Sequence, residues 1–127
     1  KPARVKKAFV EPDMIDGVVK GTWFLKNYKN FPSSVTIVDI RSAEDYTAGH
    51  LQRAINIPAE KLSTQEFISK LPKGELIFTC NSGAMALEAF QKLKDAKYKE
   101  ILRVFYLDAN IDCDKNSNCK IEINESI

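Results

Sequence analysis

"ELIFTCNSGAMALEAFQKLKDA", residues 75–96, decides the fold. Residues 75–79 form an apolar run of strand length. Residues 83–96 then place Ala86, Ala89, Phe90 and Leu93 on one helical stripe and Glu88, Gln91, Lys92 and Lys94 on the other face. A strand running into an amphipathic helix predicts half of a βαβ unit, and the rest of the chain repeats the alternation. "SSVTIVDI" (33–40) reads as a second strand covered on both faces, because its hydrophobicity is nearly continuous. "SAEDYTAG" (42–49) reads as a short helix ended by Gly49, "AINIP" (54–58) as a short strand, and "EILRVFYL" (100–107) as a third long strand. Ser63 with Glu66 forms a capping box ahead of "EFISKL", a helix stopped by Pro72. Nearer the start, Asp16 caps a helix in which Val19, Trp23 and Leu25 face inward and Pro32 marks the end. The pattern predicts an α/β domain with helices on both sides of a central parallel sheet.

The chain has 127 residues, enough for one domain with a core that needs neither disulfide nor metal. With 44% hydrophobic and 28% charged residues it reads as soluble and globular. A formal net charge of +2 is too small to argue for nucleic acid or an anionic membrane. Lys1, Arg4, Lys6 and Lys7 crowd the start, so residues 1–9 read as a basic, solvated tail. No apolar run approaches the ~20 residues of a membrane span, and none is expected to insert.

Cys80 follows the strand and precedes the helix, at the edge where parallel sheets gather ligands. The unpaired amides at the start of that helix, with the positive end of its dipole, favour a thiolate, the nucleophilic form. Gly83 suits a loop that must curl its amides around an anion. Position alone leaves the alternative open that Cys80 packs as a small hydrophobe.

Two longer stretches narrow the choice. "VTIVDIRSAEDYTAGHLQRAINIPAEKL" (35–62) contains Asp39-x-Arg41, Asp45-Tyr46, Gly49-His50-Leu51 and Ala54 to Pro58, and "LIFTCNSGAMA" (76–86) contains Cys80-x-x-Gly83 with Ala86. In that order and separation they resemble the rhodanese-like domain of sulfurtransferases, over roughly residues 10–107. The resemblance implies a three-layer α/β/α fold and a ping-pong transfer of sulfane sulfur through a Cys80 persulfide. The donor would be thiosulfate, polysulfide or a persulfide, and the acceptor cyanide, a small thiol or a protein. The loop Asn81, Ser82, Gly83, Ala84, Met85 and Ala86 would hold the persulfide through the amides of 81–85, with no cofactor and no metal. Many relatives carry arginines where this chain has Asn81 and Met85. That loss disfavours thiosulfate and, with the short loop, phosphatase chemistry. Asp39, Arg41 and His50 are expected to support the structure rather than to act as acids or bases, as is Asp45. The alternative is a catalytically weak module of the same fold for partner binding or sulfur and redox sensing.

Residues 108–127 depart from the family and read as a β-hairpin extension of the same domain, which otherwise spans 1–107. "DKNSN" (114–118) is a good turn sequence, and Cys113 and Cys119 flank it. A disulfide is one expectation. Two free thiols, a redox pair or half of a metal site are the others. The acidic alternation around Asp112 suggests calcium, but Ser117 and Ile123 stand where an EF-hand loop has Gly and Glu. A disulfide, together with a first residue that is not Met, points to a removed leader and to the periplasm or another exported location, with the cytoplasm as the alternative.

Overall fold

The computed structural model describes residues 9–10 and 16–123. Its sheet has strands β1 (Val18–Lys20), β2 (Val35–Asp39), β3 (Ala54–Asn56), β4 (Glu75–Thr79), β5 (Val104–Cys113) and β6 (Cys119–Ile123). The first five run parallel in the order β1-β5-β4-β2-β3, and β6 pairs antiparallel with β5. Helices α1 (Gly21–Asn27), α2 (Ala43–Ala48), α3 (Gln65–Ser69) and α4 (Ala84–Asp95) cover the sheet.

The two faces of the sheet explain the continuous apolar runs. Successive side chains of a strand point to opposite sides. Leu76 and Phe78 of β4, Val38 of β2 and Val104 and Tyr106 of β5 therefore join Ala86, Ala89, Phe90 and Leu93 of α4 in one core cluster. Ile77, Val35, Ile37, Phe105 and Leu107 join Phe24 and Phe31 in the other. Each large side chain taken fully out of water contributes about 1.5–3 kcal/mol. The predicted stripe of α4 is the observed one, with all four of its residues buried. The result is the three-layer α/β/α architecture with a parallel sheet that the sequence predicts.

Three local expectations differ. Val18–Lys20 is strand β1 rather than helix, because β5 supplies hydrogen-bonding partners at Tyr106, Leu107 and Asp108. Asp16 therefore caps nothing and pairs with Lys94 at 2.7 Å. The shorter α1 buries Phe24, leaves Leu25 exposed and stacks Trp23 on Phe31. Thr64, not Ser63, caps α3 by accepting from the Phe67 amide, while the Ser63 hydroxyl donates to the Glu60 carbonyl in a preceding 3₁₀ turn. β5 begins at Val104 and runs on to Cys113, so the expected third strand and the first arm of the hairpin are one element.

Most of the basic tail lies outside the described residues. Phe9, its last residue, is held in place: its amide donates to Glu75 Oε1 at 2.7 Å, and its ring meets Trp23 and Phe31 edge-on. No helix among the described residues is long and apolar enough to cross a membrane.

Candidate active site

β4 ends at Thr79, and Cys80 is the first residue beyond it, at the carboxyl edge of the sheet. The chain turns through Asn81, Ser82 and Gly83 into α4. Gly83 has φ of +89°, and a β-carbon there would lie 3.1 Å from the Leu107 carbonyl oxygen and 3.3 Å from the Ala109 amide. Both conditions call for glycine. The turn aims two main-chain donors at the thiol: the Gly83 amide at 3.1 Å and the Ala86 amide at 3.3 Å from Cys80 Sγ.

The amides of residues 81–85 are expected around the outer sulfur of a persulfide; around the thiol itself the donors are these two. The Ala84 amide is turned to the Ser82 hydroxyl at 3.3 Å, and the second donor comes from Ala86, one residue past the expected set. Cys80 itself is 3% exposed and touches the core cluster beneath α4, so its sulfur sits at the floor of the loop. Asn81, Ser82, Ala84 and Met85 are exposed at the rim, while Gly83 and Ala86 are buried. Two amides and a helix N-terminus stabilise negative charge on a sulfur at that point.

Arg41 ties the site together. Its Nε meets Asp39 Oδ1 and Oδ2 at 3.0 and 3.1 Å, and its Nη2 reaches Oδ2 at 2.7 Å and the Gly49 carbonyl at 2.8 Å. Its Nη1 lies 3.4 Å from Asn81 Oδ1. The Asp39 hydrogen bonds raise the guanidinium pKa above its ordinary value against the cost of burial, with smaller contributions from the negative charges of Asp39 and Asp45. Arg41 is therefore a permanent cation held beside Asn81, the residue that follows Cys80. The Asp-x-Arg spacing signals the pairing, but the reach to Asn81 spans forty residues and carries no local signal.

His50 does not join the thiol's hydrogen bonds. Its Nδ1 lies 2.8 Å from the Tyr46 carbonyl, and its ring stacks on Tyr46 at 3.7 Å between centroids. Its amide donates to Ser117 Oγ at 3.3 Å. Tyr46 Oη in turn donates to the Ala54 carbonyl, so Tyr46 and His50 brace the loop around Gly49.

The hairpin closes over the same edge. Cys113 and Cys119 are opposite each other in the ladder and joined by a disulfide, leaving Cys80 the free cysteine. Asp114 caps the turn by accepting from the amides of Asn116 and Asn118, and those bonds lower its pKa from the ordinary 3.8. Among the described residues, no group of three or more His, Cys, Asp or Glu could hold a metal ion. The Ile111 amide donates to the Asn81 carbonyl at 2.7 Å, fastening the hairpin to the Cys80 loop. Between them lies a cleft of about 440 Å³ lined by Asn81, Asn110, Ile111, Asp112, Lys120 and Glu122. A larger cleft, about 740 Å³, lies at the opposite end of the sheet beside Lys73, Tyr98 and Arg103. Volume alone therefore does not mark the chemistry.

Known proteins share this fold. Thiosulfate sulfurtransferase 18 of Arabidopsis thaliana is 28% identical over a stretch covering 53% of this chain and 59% of that relative. A protein from Bacillus halodurans superposes with a TM-score of 0.59 at 23% identity, over 75% of this chain and 68% of the other. The rhodanese-like domain of an Anabaena protein gives 0.60 at 18%, over 76% and 70%. A rhodanese-related protein from Thermoplasma volcanium gives 0.56 at 18%, over 73% and 84%. These likenesses establish the fold. The model of the rhodanese-like domain family matches residues 22–109, a span that runs from α1 through α4 into β5 and includes Cys80 and its loop. The chain belongs to the rhodanese-like domain family.

Proposed function

We propose that the protein is a sulfurtransferase or sulfur carrier whose nucleophile is Cys80. One observation carries the reading: the Cys80 sulfur accepts from the amides of Gly83 and Ala86 at the head of α4. A thiolate there attacks the outer sulfur of a donor and takes it as Cys80–S–S⁻, and the remainder of the donor leaves with the bonding electrons. From thiosulfate the leaving group is sulfite; from a polysulfide it is the chain shortened by one sulfur. A thiophilic acceptor then attacks the outer sulfur, the Sγ–S bond breaks, and the Cys80 thiolate returns. The two amides stabilise both anionic states.

The rim supports a donor without an oxyanion end. Asn81 and Met85 occupy positions where many relatives present arginines, and Met85 is 43% exposed. Polysulfide or a persulfide suits this lining better than thiosulfate does.

The experiment is intact-mass measurement after incubation with polysulfide. The expected result is a gain of about 32 Da, removed by cyanide and absent in Cys80→Ser. An unmodified Cys80 would instead favour a binding module without transfer. The 3% exposure of the thiol is the observation on that side.

The Cys113–Cys119 disulfide supports an exported location, the bacterial periplasm in the first place. Counting thiols on unreduced, denatured protein isolated from its native source tests this. One free thiol supports export, and three point to the cytoplasm.

A further inference from the structure

The match to the family model ends at residue 109, and the hairpin that β5 and β6 form beyond it is fastened to the Cys80 loop. The pairing of Asn110 with Glu122 and of Asp112 with Lys120 puts these four residues on one side of the two-stranded ribbon. Ala109, Ile111, Cys119 and Ile121 contribute to the core on the other side. All four polar residues line the 440 Å³ cleft, and among the described residues Asn81, the residue after Cys80, joins them from outside the ribbon. The cleft is within the ~300–1,000 Å³ range of small-molecule sites. The bond from the Ile111 amide to the Asn81 carbonyl makes the ribbon and the Cys80 loop one unit.

The charges of the cleft are mixed, with Asp112 and Lys120 directly opposite each other in the ladder. Asp112, Lys120 and Glu122 take part in none of the ion pairs formed among the described residues. Two carboxylates, one ammonium and two side-chain amides complement a head group with an ammonium and a carboxylate of its own. A ligand that is only anionic meets two like charges for each opposite one.

We propose that this cleft is the binding site for the acceptor, and that it selects small thiols bearing an amino-acid head group. The inference rests on the Cys80 persulfide reading. The head group's ammonium is held by Asp112 and Glu122, its carboxylate by Lys120, and its sulfur is directed past Asn81 toward the loop. The acceptor thiolate attacks the outer sulfur of Cys80–S–S⁻, a new S–S bond forms, the Sγ–S bond breaks, and the products are the acceptor persulfide and the Cys80 thiolate. The thiol proton is lost to solvent before attack.

Two readouts separate this proposal from the reading beneath it. Binding is followed by amide chemical shifts on titration with S-methylcysteine, which has the head group but no reactive thiol. Shifts at Asn81, Asn110 and Lys120, weakened in Lys120→Glu, are expected. No shifts, or shifts only around Lys73 and Tyr98, overturn the proposal whether or not Cys80 accepts sulfur. Transfer is followed on polysulfide-loaded protein by the rate at which cysteine, 2-mercaptoethanol or cyanide removes the added mass. Cysteine should be favoured over 2-mercaptoethanol at equal thiolate concentration, and Asp112→Asn or Glu122→Gln should each reduce that preference roughly twofold to fivefold, with the rate of removal by cyanide as the reference for each protein. Equal preference in wild type and variants overturns the selectivity. Failure to load sulfur at all, with the binding shifts present, overturns the persulfide reading and the assignment of the ligand as an acceptor.

Discussion

The carbonyl oxygen of Asp114 occupies the space that a β-carbon on Gly49 would fill. The hairpin tip thus docks on the loop that Arg41 holds from below through the Gly49 carbonyl. Gly49 also has φ of +155°, a conformation that side chains strain to adopt. Gly49→Ala should cost about 3 kcal/mol, read as a shifted urea midpoint at constant slope. The same variant should raise amide exchange at Ser117 and Asn118, because the tip loses its seat. Unchanged exchange there would show that the dock is not what orders the turn.

Removing the disulfide tests the ribbon separately. Replacing both Cys113 and Cys119 by serine frees a ring whose ends are six residues apart. Loop-closure entropy assigns such a small ring about 2 kcal/mol. The loss should appear in denaturant unfolding of the oxidised protein and vanish when wild type is compared under reducing conditions. Because Ile111 bonds to the Cys80 loop, the serine variant should also load sulfur with altered kinetics, measured by mass against time.

Much of this was legible beforehand, and the division follows sequence distance. α4, its four buried residues, the bounds of β4 and the helix ended by Gly49 depend on neighbours a few residues apart, so periodicity and turn chemistry reveal them. The Cys113–Cys119 pairing was legible as one of several options because its turn is local. β1 was misread because its three residues are strand only by virtue of β5, almost ninety residues later. Ser63 and Thr64 are adjacent hydroxyls that both suit a cap, and the choice is made by the 3₁₀ turn that engages Ser63. At the site, Cys80 and Gly83 were legible, whereas the reach of Arg41 to Asn81 and the docking of the hairpin on Gly49 and His50 depend on contacts between distant segments.

Asp39 and Arg41 offer a test of the buried pair. Asp39 is 4% exposed, and the guanidinium grips both of its oxygens. Asp39→Asn leaves that cation without its counter-charge and should cost about 3 kcal/mol. Arg41→Met in the same background should restore part of the loss, since it removes the orphaned charge. A double-mutant cycle on unfolding free energies measures the coupling, and additive losses would show that the pair is not a unit.

Asp114 gives a pH dependence confined to the hairpin. The amides of Asn118 and Asn116 hold its pKa below the ordinary 3.8, so the folded turn binds a proton less readily than the unfolded chain does. Its contribution is complete above that ordinary value and disappears as pH falls through the lowered one. Amide shifts of Asn116 and Asn118 should titrate together in that acidic window, and Asp114→Asn should abolish the transition.

Met85→Arg tests whether the missing rim charge sets donor preference. Met85 is in the first turn of α4 and 43% exposed, so a longer side chain fits without disturbing the core. A guanidinium there offers a charge-assisted contact to the sulfonate end of thiosulfate, worth about tenfold in reactivity. Loading from thiosulfate should rise by roughly that factor, while loading from polysulfide, which has no oxygen atoms for a guanidinium to grip, should change less. The measured quantity is the ratio of the two second-order loading rates, which removes any general effect of the substitution on the thiol. If the ratio is unchanged, the rim residue at 85 does not choose the donor, and the preference lies with Asn81 and Arg41, whose side chains already meet across the mouth of the site.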